Sequence, residues 1–133
     1  MRTIFQSFIV LSAAFLVGCD GNTDYTWQLT NDSSSDIVAY TSTGFDLSAP
    51  PDSVVILQGS NEVVGVFSKL GGSGTEMLPE NAFSALIVVN ASGDTMQSSY
   101  VDPGSWMSEI EQIKKVPSQY EHTYTFVVND NDF

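Results

Sequence analysis

The chain has 133 residues, sixteen acidic side chains against four basic ones, a net charge of −12 and an apolar fraction of 42%. That length suits one domain with a real core and is too short for two. The ordinary apolar content argues against disorder throughout, and the negative field makes nucleic acid and anionic lipid surfaces poor partners.

Residues 1–18 carry Arg2 as their only charge, then an apolar run over 8–17 broken only by Ser12, then Gly18 before Cys19. This is the layout of a secretory signal segment. The run is too short to span a bilayer, for which roughly 18 or more unbroken apolar residues are needed. Its end, Leu16-Val17-Gly18-Cys19, resembles the lipobox of bacterial lipoproteins. The resemblance implies cleavage between Gly18 and Cys19, a diacylglycerol on the Cys19 thiol and a further acyl chain, such as palmitate, on the freed amine. Cys19 is the only cysteine, so no intrachain disulfide can form. Two or three acyl chains make release from the membrane very slow, whereas one chain gives only marginal binding. Asp20 resembles the inner-membrane retention signal of enteric lipoprotein sorting; the outer membrane is the favoured address and the inner membrane the alternative.

Loss of residues 1–18 leaves three lysines, Lys69, Lys114 and Lys115, against the same sixteen acidic residues, a net charge of −13. Residues 19–24 are expected to be the lipidated N-terminus and a tether, with the folded domain over 25–133. Even fully extended, residues 20–24 reach only about 17 Å, so the domain sits close to the headgroups.

Tyr25, Trp27 and Leu29 alternate with Thr26, Gln28 and Thr30, which predicts a half-buried strand. Asn31 through Asp36 supply turn chemistry, and 37–41 form a second strand. Gly44 and the Pro50-Pro51 pair exclude regular structure between 44 and 52. Residues 54–57 are continuously apolar and predict a strand covered on both faces or one that crosses a sandwich core; 63–68 form its partner after a turn at 58–61. The Gly-rich stretch 70–75 reads as a flexible loop, since no phosphate-binding Gly-Lys-Ser/Thr follows it. Residues 85–89 and 95–100 flank a five-residue hairpin connection, 90–94, in which Gly93 can take a positive φ. After Asp102-Pro103-Gly104, Ser105 could cap one short helix near 105–114 that carries Trp106, Ile110 and Ile113 on one side and ends at Lys114-Lys115 before Pro117. Residues 120–128 have the strongest period-two pattern in the chain, with Tyr120, His122, Tyr124, Phe126 and Val128 on one side.

About seven short strands separated by Gly, Pro, Asn and Ser turns predict an all-β fold, a single antiparallel β-sandwich of the Ig-like kind. A closed barrel of similar strand number fits the same pattern. The lipobox, the stretch Tyr25-Thr26-Trp27-Gln28-Leu29-Thr30-Asn31-Asp32-Ser33, the hairpin at 90–94 and the ending Tyr124-Thr125-Phe126-Val127-Val128-Asn129-Asp130-Asn131-Asp132-Phe133 together resemble small uncharacterised lipoproteins of Bacteroidota-type bacteria. That resemblance implies location and fold and adds nothing about chemistry.

Candidate chemistry is sparse. His122 is the only histidine and lies on an aromatic face, either as a buried imidazole held by a neighbour or as a lone pH-responsive group. A zinc site needs several nitrogen or sulfur ligands, so none is assigned. No Gly-x-Ser-x-Gly elbow is present, and a Ser-His-Asp triad could arise only through folding. Asn129-Asp130-Asn131-Asp132 offers alternating oxygens but lacks the glycine and glutamate of a calcium loop. On the expected helix Glu109 and Glu111 would point apart, which is wrong for an acid and base acting across one bond. Trp27, Trp106 and Tyr100 could form an aromatic platform for a sugar. These residues point to a non-catalytic, lipid-anchored binding or accessory module of the cell envelope that meets an envelope protein or a glycan. A carbohydrate- or divalent-cation-binding module is the alternative, and a hydrolase a more distant one. No catalytic residue, metal or cofactor is assigned.

Overall fold

Alternation decides the architecture. In the computed structural model, which describes residues 20–42 and 52–133, strand β1 (Asn22–Asn31) buries every second side chain, and so does the inner half of strand β7 (Gln119–Val128). Between them come β2 (Ile37–Ser42), β3 (Asp52–Ile56), β4 (Asn61–Leu70), β5 (Ala85–Asn90) and β6 (Met107–Lys114). They form a four-stranded sheet, in the order β4-β1-β7-β6, and a three-stranded sheet, in the order β3-β2-β5. The fold is all-β and sandwich-like, as the spacing of turns predicts. The expected signal segment 1–18, Cys19 and the break expected from Gly44 to Pro51 lie outside the described residues.

The inner faces meet in one core. Tyr25, Trp27 and Leu29 of β1, with Tyr124, Phe126 and Val128 of β7, share it with Ile37, Ala39, Ile56, Leu86 and Val88 of the smaller sheet. Full burial of a large apolar side chain stabilises the fold by about 1.5–3 kcal/mol, so this two-sided set dominates the folding energy. A single helical turn, α1 (Pro79–Ala82), starts on Pro79 and drops Ala82 and Phe83 into the same core.

Several expectations change. The sandwich is not wholly antiparallel: β1 and β7 run parallel, Asn22 opposite Gln119 and Asn31 opposite Val128. A parallel pair needs a long connection, and the whole intervening chain supplies it. The expected tether also shortens, because Asn22 and Thr23 already pair with Leu70 and Lys69 on one side and with Gln119 and Tyr120 on the other.

The helix expected near 105–114 is replaced by a 3₁₀ turn at Pro103–Ser105 and strand β6. Every residue of β6 is exposed, so its apolar spacing selects no buried helical face, while β7 offers it an antiparallel backbone partner. Only Trp106, ahead of the strand, goes into the core. Glu109 and Glu111 therefore lie on the same side of an edge strand, where charge discourages pairing with another chain.

The hairpin after β5 forms its turn as expected, with Gly93 at φ 89° and Asn90 Oδ1 accepting from the Ser92 and Asp94 amides. Its return arm ends almost at once. One bridge joins Val89 to Thr95, and beyond Met96 the Gln97 amide donates to the Asp132 carbonyl at 2.6 Å, which draws 97–100 away from β5. The strand between β5 and β7 is thus β6 and not 95–100. Among the described residues no helix is long and apolar enough to cross a membrane.

Candidate functional site

Residues 71–78, which follow β4, cross the inner face of the larger sheet near its β1 and β7 strands as a strap. Glycine makes the start possible: a Cβ on Gly72 would stand 2.2 Å from Ser118 Cβ. The strap is pinned along its length. The Gly71 amide donates to the Gly21 carbonyl at 2.7 Å, Thr23 Oγ1 donates to the Gly71 carbonyl at 2.8 Å, and the Ser73 amide donates to Thr23 Oγ1 at 2.9 Å. The stretch expected to be a flexible loop is therefore held by buried partners.

His122 and Tyr124 complete the fastening. His122 Nε2 is 2.7 Å from the Ser73 carbonyl, which can only accept, so that nitrogen carries the proton. Nδ1 then accepts from the Tyr124 hydroxyl at 3.2 Å, and the same hydroxyl accepts from the Met77 amide at 2.7 Å. Burial raises the Tyr124 phenol above its ordinary value; the Met77 amide partly offsets this, and the neighbouring Glu76 and Tyr25 reinforce it. Tyr124 stays protonated at neutral pH and serves the relay as a donor. Both nitrogens of the only histidine are engaged, which leaves no free base at His122 in this arrangement.

Beside this relay lies a cleft of about 160 Å³ lined by Trp27, Trp106, Tyr124, Glu76, Met77 and Ser108, among others. Its walls are locked together. Trp27 stacks on Tyr124 with centroids 4.1 Å apart and an angle of 13°, and meets Trp106 edge-on at 4.8 Å and 87°. Trp106 Nε1 donates to the Tyr100 carbonyl at 2.8 Å, and Ser108 Oγ bonds the Glu76 carboxylate. One polar atom stands out. Trp27 Nε1 is buried and has no hydrogen-bond partner among the described residues. A second cavity, of about 280 Å³, shares Glu76 and Met77 with the first and is lined also by Tyr25, Lys69 and Asn81.

Trp27 and Trp106 are thus brought together, but as the walls of a cleft and not as a flat platform: Trp27 is fully buried and Trp106 nearly so. Tyr100 contributes its backbone carbonyl, lines neither cavity, and turns its hydroxyl towards the Ser84 carbonyl at 3.5 Å. Glu76 and Ser108 escaped the sequence reading, since they lie 32 residues apart and share no motif. Among the described residues no three His, Cys, Asp or Glu side chains are grouped to hold a metal ion. Asn129 to Asp132 instead form a capped 3₁₀ turn in which Asn129 Oδ1 accepts from the Asn131 amide.

The chain matches no protein-family model, no curated protein and no solved structure.

Proposed function

We propose that this chain is a lipid-anchored binding module of the cell envelope, held by Cys19, without a catalytic role, and that the cleft walled by Trp27, Trp106 and Tyr124 is its ligand site. The observation that carries the cleft is the Trp27 indole N–H. A buried donor without a partner costs about 1–3 kcal/mol, and native proteins rarely leave one so; an acceptor oxygen on a ligand would satisfy it. The surrounding chemistry narrows the class. Aromatic walls favour a ligand with apolar faces, the Glu76 carboxylate accepts hydroxyl donors and repels anions, and Ser108 adds a hydroxyl. A small neutral saccharide, or the end of a longer glycan, has all these properties.

Both tryptophans of the chain line the cleft, so intrinsic fluorescence reads its occupancy directly. Titrating the lipidated protein in detergent with a panel of neutral mono- and oligosaccharides should give a saturable emission change and a rise in melting temperature for at least one member. A flat response in both measurements across the panel removes the cleft reading. The anchor has its own test: a fatty-acid analogue should label the native chain and fail to label Cys19→Ser, and equal labelling of the two would refute the lipidation.

A further inference from the structure

We infer that the end of the larger sheet next to Cys19 is a membrane-contact surface that lies on the headgroups of an anionic leaflet, so that the domain is seated on the bilayer and not merely tethered to it. The inference rests on the lipid anchor proposed above, and the register of four strands supplies the rest. β1 starts there at Asn22, β7 starts there at Gln119, β4 ends there at Leu70 and β6 ends there at Lys114. All three lysines of the chain fall at this end: Lys69 opposite Thr23, Lys114 opposite Gln119, and Lys115 in the turn between β6 and β7, each exposed. The two most exposed large apolar side chains among the described residues are there as well, Leu70 at 81% and Val116 at 76%, with Ile113 at 46% beside them.

Lysines interleaved with exposed aliphatic side chains are what a bilayer interface accepts, the ammonium groups at headgroup level and the aliphatic groups towards the acyl boundary. The opposite end of the sheet carries the contrary charge. Asp32, Asp36, Glu62, Asp130 and Asp132 all lie at or beyond the ends of β1 and β7 that face away from Cys19, or pair with that part of β1. The domain is thus a dipole whose positive end is the end the lipid holds, although its net charge repels an anionic surface as a whole. Asp20 is the carboxylate nearest the anchored end; the next, Asp24, Glu121 and the Glu111 that pairs with it, begin two residues further into the strands. Position also fits, because only Asp20 and Gly21 separate the anchoring residue from β1.

The full lipidated chain, reconstituted in phosphatidylcholine vesicles containing phosphatidylglycerol, tests this with single spin labels. Leu70→Cys and Val116→Cys place the label at the proposed surface, and Leu57→Cys places it at the far end, where the residue is also exposed. Labels at 70 and 116 should collide with oxygen and be protected from a water-soluble nickel chelate, and the label at 57 should show the reverse. Replacing Lys69, Lys114 and Lys115 together by Gln should reduce the protection at 116. Nickel access at 70 and 116 equal to that at 57, while mass spectrometry of the same samples finds diacylglycerol on Cys19, overturns the surface and leaves the anchor standing. A bare Cys19 overturns the anchor, and the seated orientation with it.

Discussion

His122 Nδ1 and the Tyr124 hydroxyl are 3.2 Å apart on the inner face of β7, and between them they hold both ends of the 71–78 strap, His122 through the Ser73 carbonyl and Tyr124 through the Met77 amide. Removing one oxygen breaks two of these links. Tyr124→Phe should keep the stacking on Trp27 and lower stability by about 1–3 kcal/mol, because the Met77 amide and His122 Nδ1 lose their partner. Hydrogen exchange should show the strap amides, Met77 first, losing more protection in the variant than those of β2 and β5, whose loss should not exceed the fall in global stability.

The same phenol gives the fold an alkaline limit. Burial holds it above the ordinary value of 10.0, so the folded chain keeps its proton where the unfolded chain releases it. This contribution is complete below about pH 10 and is lost as pH rises through the folded value. Denaturant titrations should show stability falling with pH in that alkaline window, and Tyr124→Phe should flatten the fall. An unchanged slope in the variant would show that the alkaline loss does not come from Tyr124.

Asn31, fully buried at the end of β1, joins three segments with one amide group. Its Nδ2 donates to the Ser35 carbonyl at 2.8 Å and to the Ile56 carbonyl of β3 at 3.0 Å, and its Oδ1 accepts from the Ser33 amide at 3.0 Å and from Ser33 Oγ at 2.6 Å. Asn31→Ala should cost about 2–4 kcal/mol, since several buried groups are left unpaired. Asn31→Asp should be worse at neutral pH despite its matching shape, because a carboxylate oxygen would face two carbonyls. Its deficit relative to the native chain should shrink in acid, where a protonated carboxyl can donate again. Chemical denaturation of the three proteins across pH checks the order.

Strands with a buried face were legible because alternation records burial. Tyr25, Trp27 and Leu29, and the run from His122 to Val128, face the core as their spacing requires. Strand β6 was not legible. It buries nothing, so Ile110 and Ile113 carried no information about a face, and the partner that makes it a strand lies across a turn in β7. The arm 95–100 misled for the opposite reason: its local turn is right, but Asp132, far along the chain, takes the Gln97 amide.

The cleft was half legible. The two tryptophans and the aromatic face of β7 show in the sequence as residues without a settled place. Glu76 and Ser108 acquire a role only when the strap is folded back over β7 and β6, a contact set by tertiary structure and not by spacing. The lysine-bearing end of the larger sheet was hidden by averaging. A net charge of −13 describes residues 19–133 as a whole, and only strand register shows that the three lysines share one end with Leu70 and Val116.

Gly21 joins the start of β1 to the turn before β7, and a single methyl group tests how tightly. A Cβ there would stand 1.5 Å from the Ser118 carbonyl oxygen, a separation that no side-chain rotation can relieve. The Gly21 carbonyl also accepts from the Gly71 amide at 2.7 Å, and the adjacent Asn22 amide donates to the Ser118 carbonyl at 3.1 Å. Gly21→Ala therefore has to move the start of β1 away from the turn before β7 and stretch both bonds. Overpacking of this kind costs about 1–3 kcal/mol, a fall in melting temperature on the order of 10 °C for a domain of this size. The damage should be greatest locally: amides of residues 22–24 and 71–73 should lose more protection than Leu29 and Phe126, in the far half of the same strands, whose loss should not exceed the fall in global stability. Equal loss of protection along the whole of β1 would show instead that Gly21 sets global stability and not only the packing of this edge.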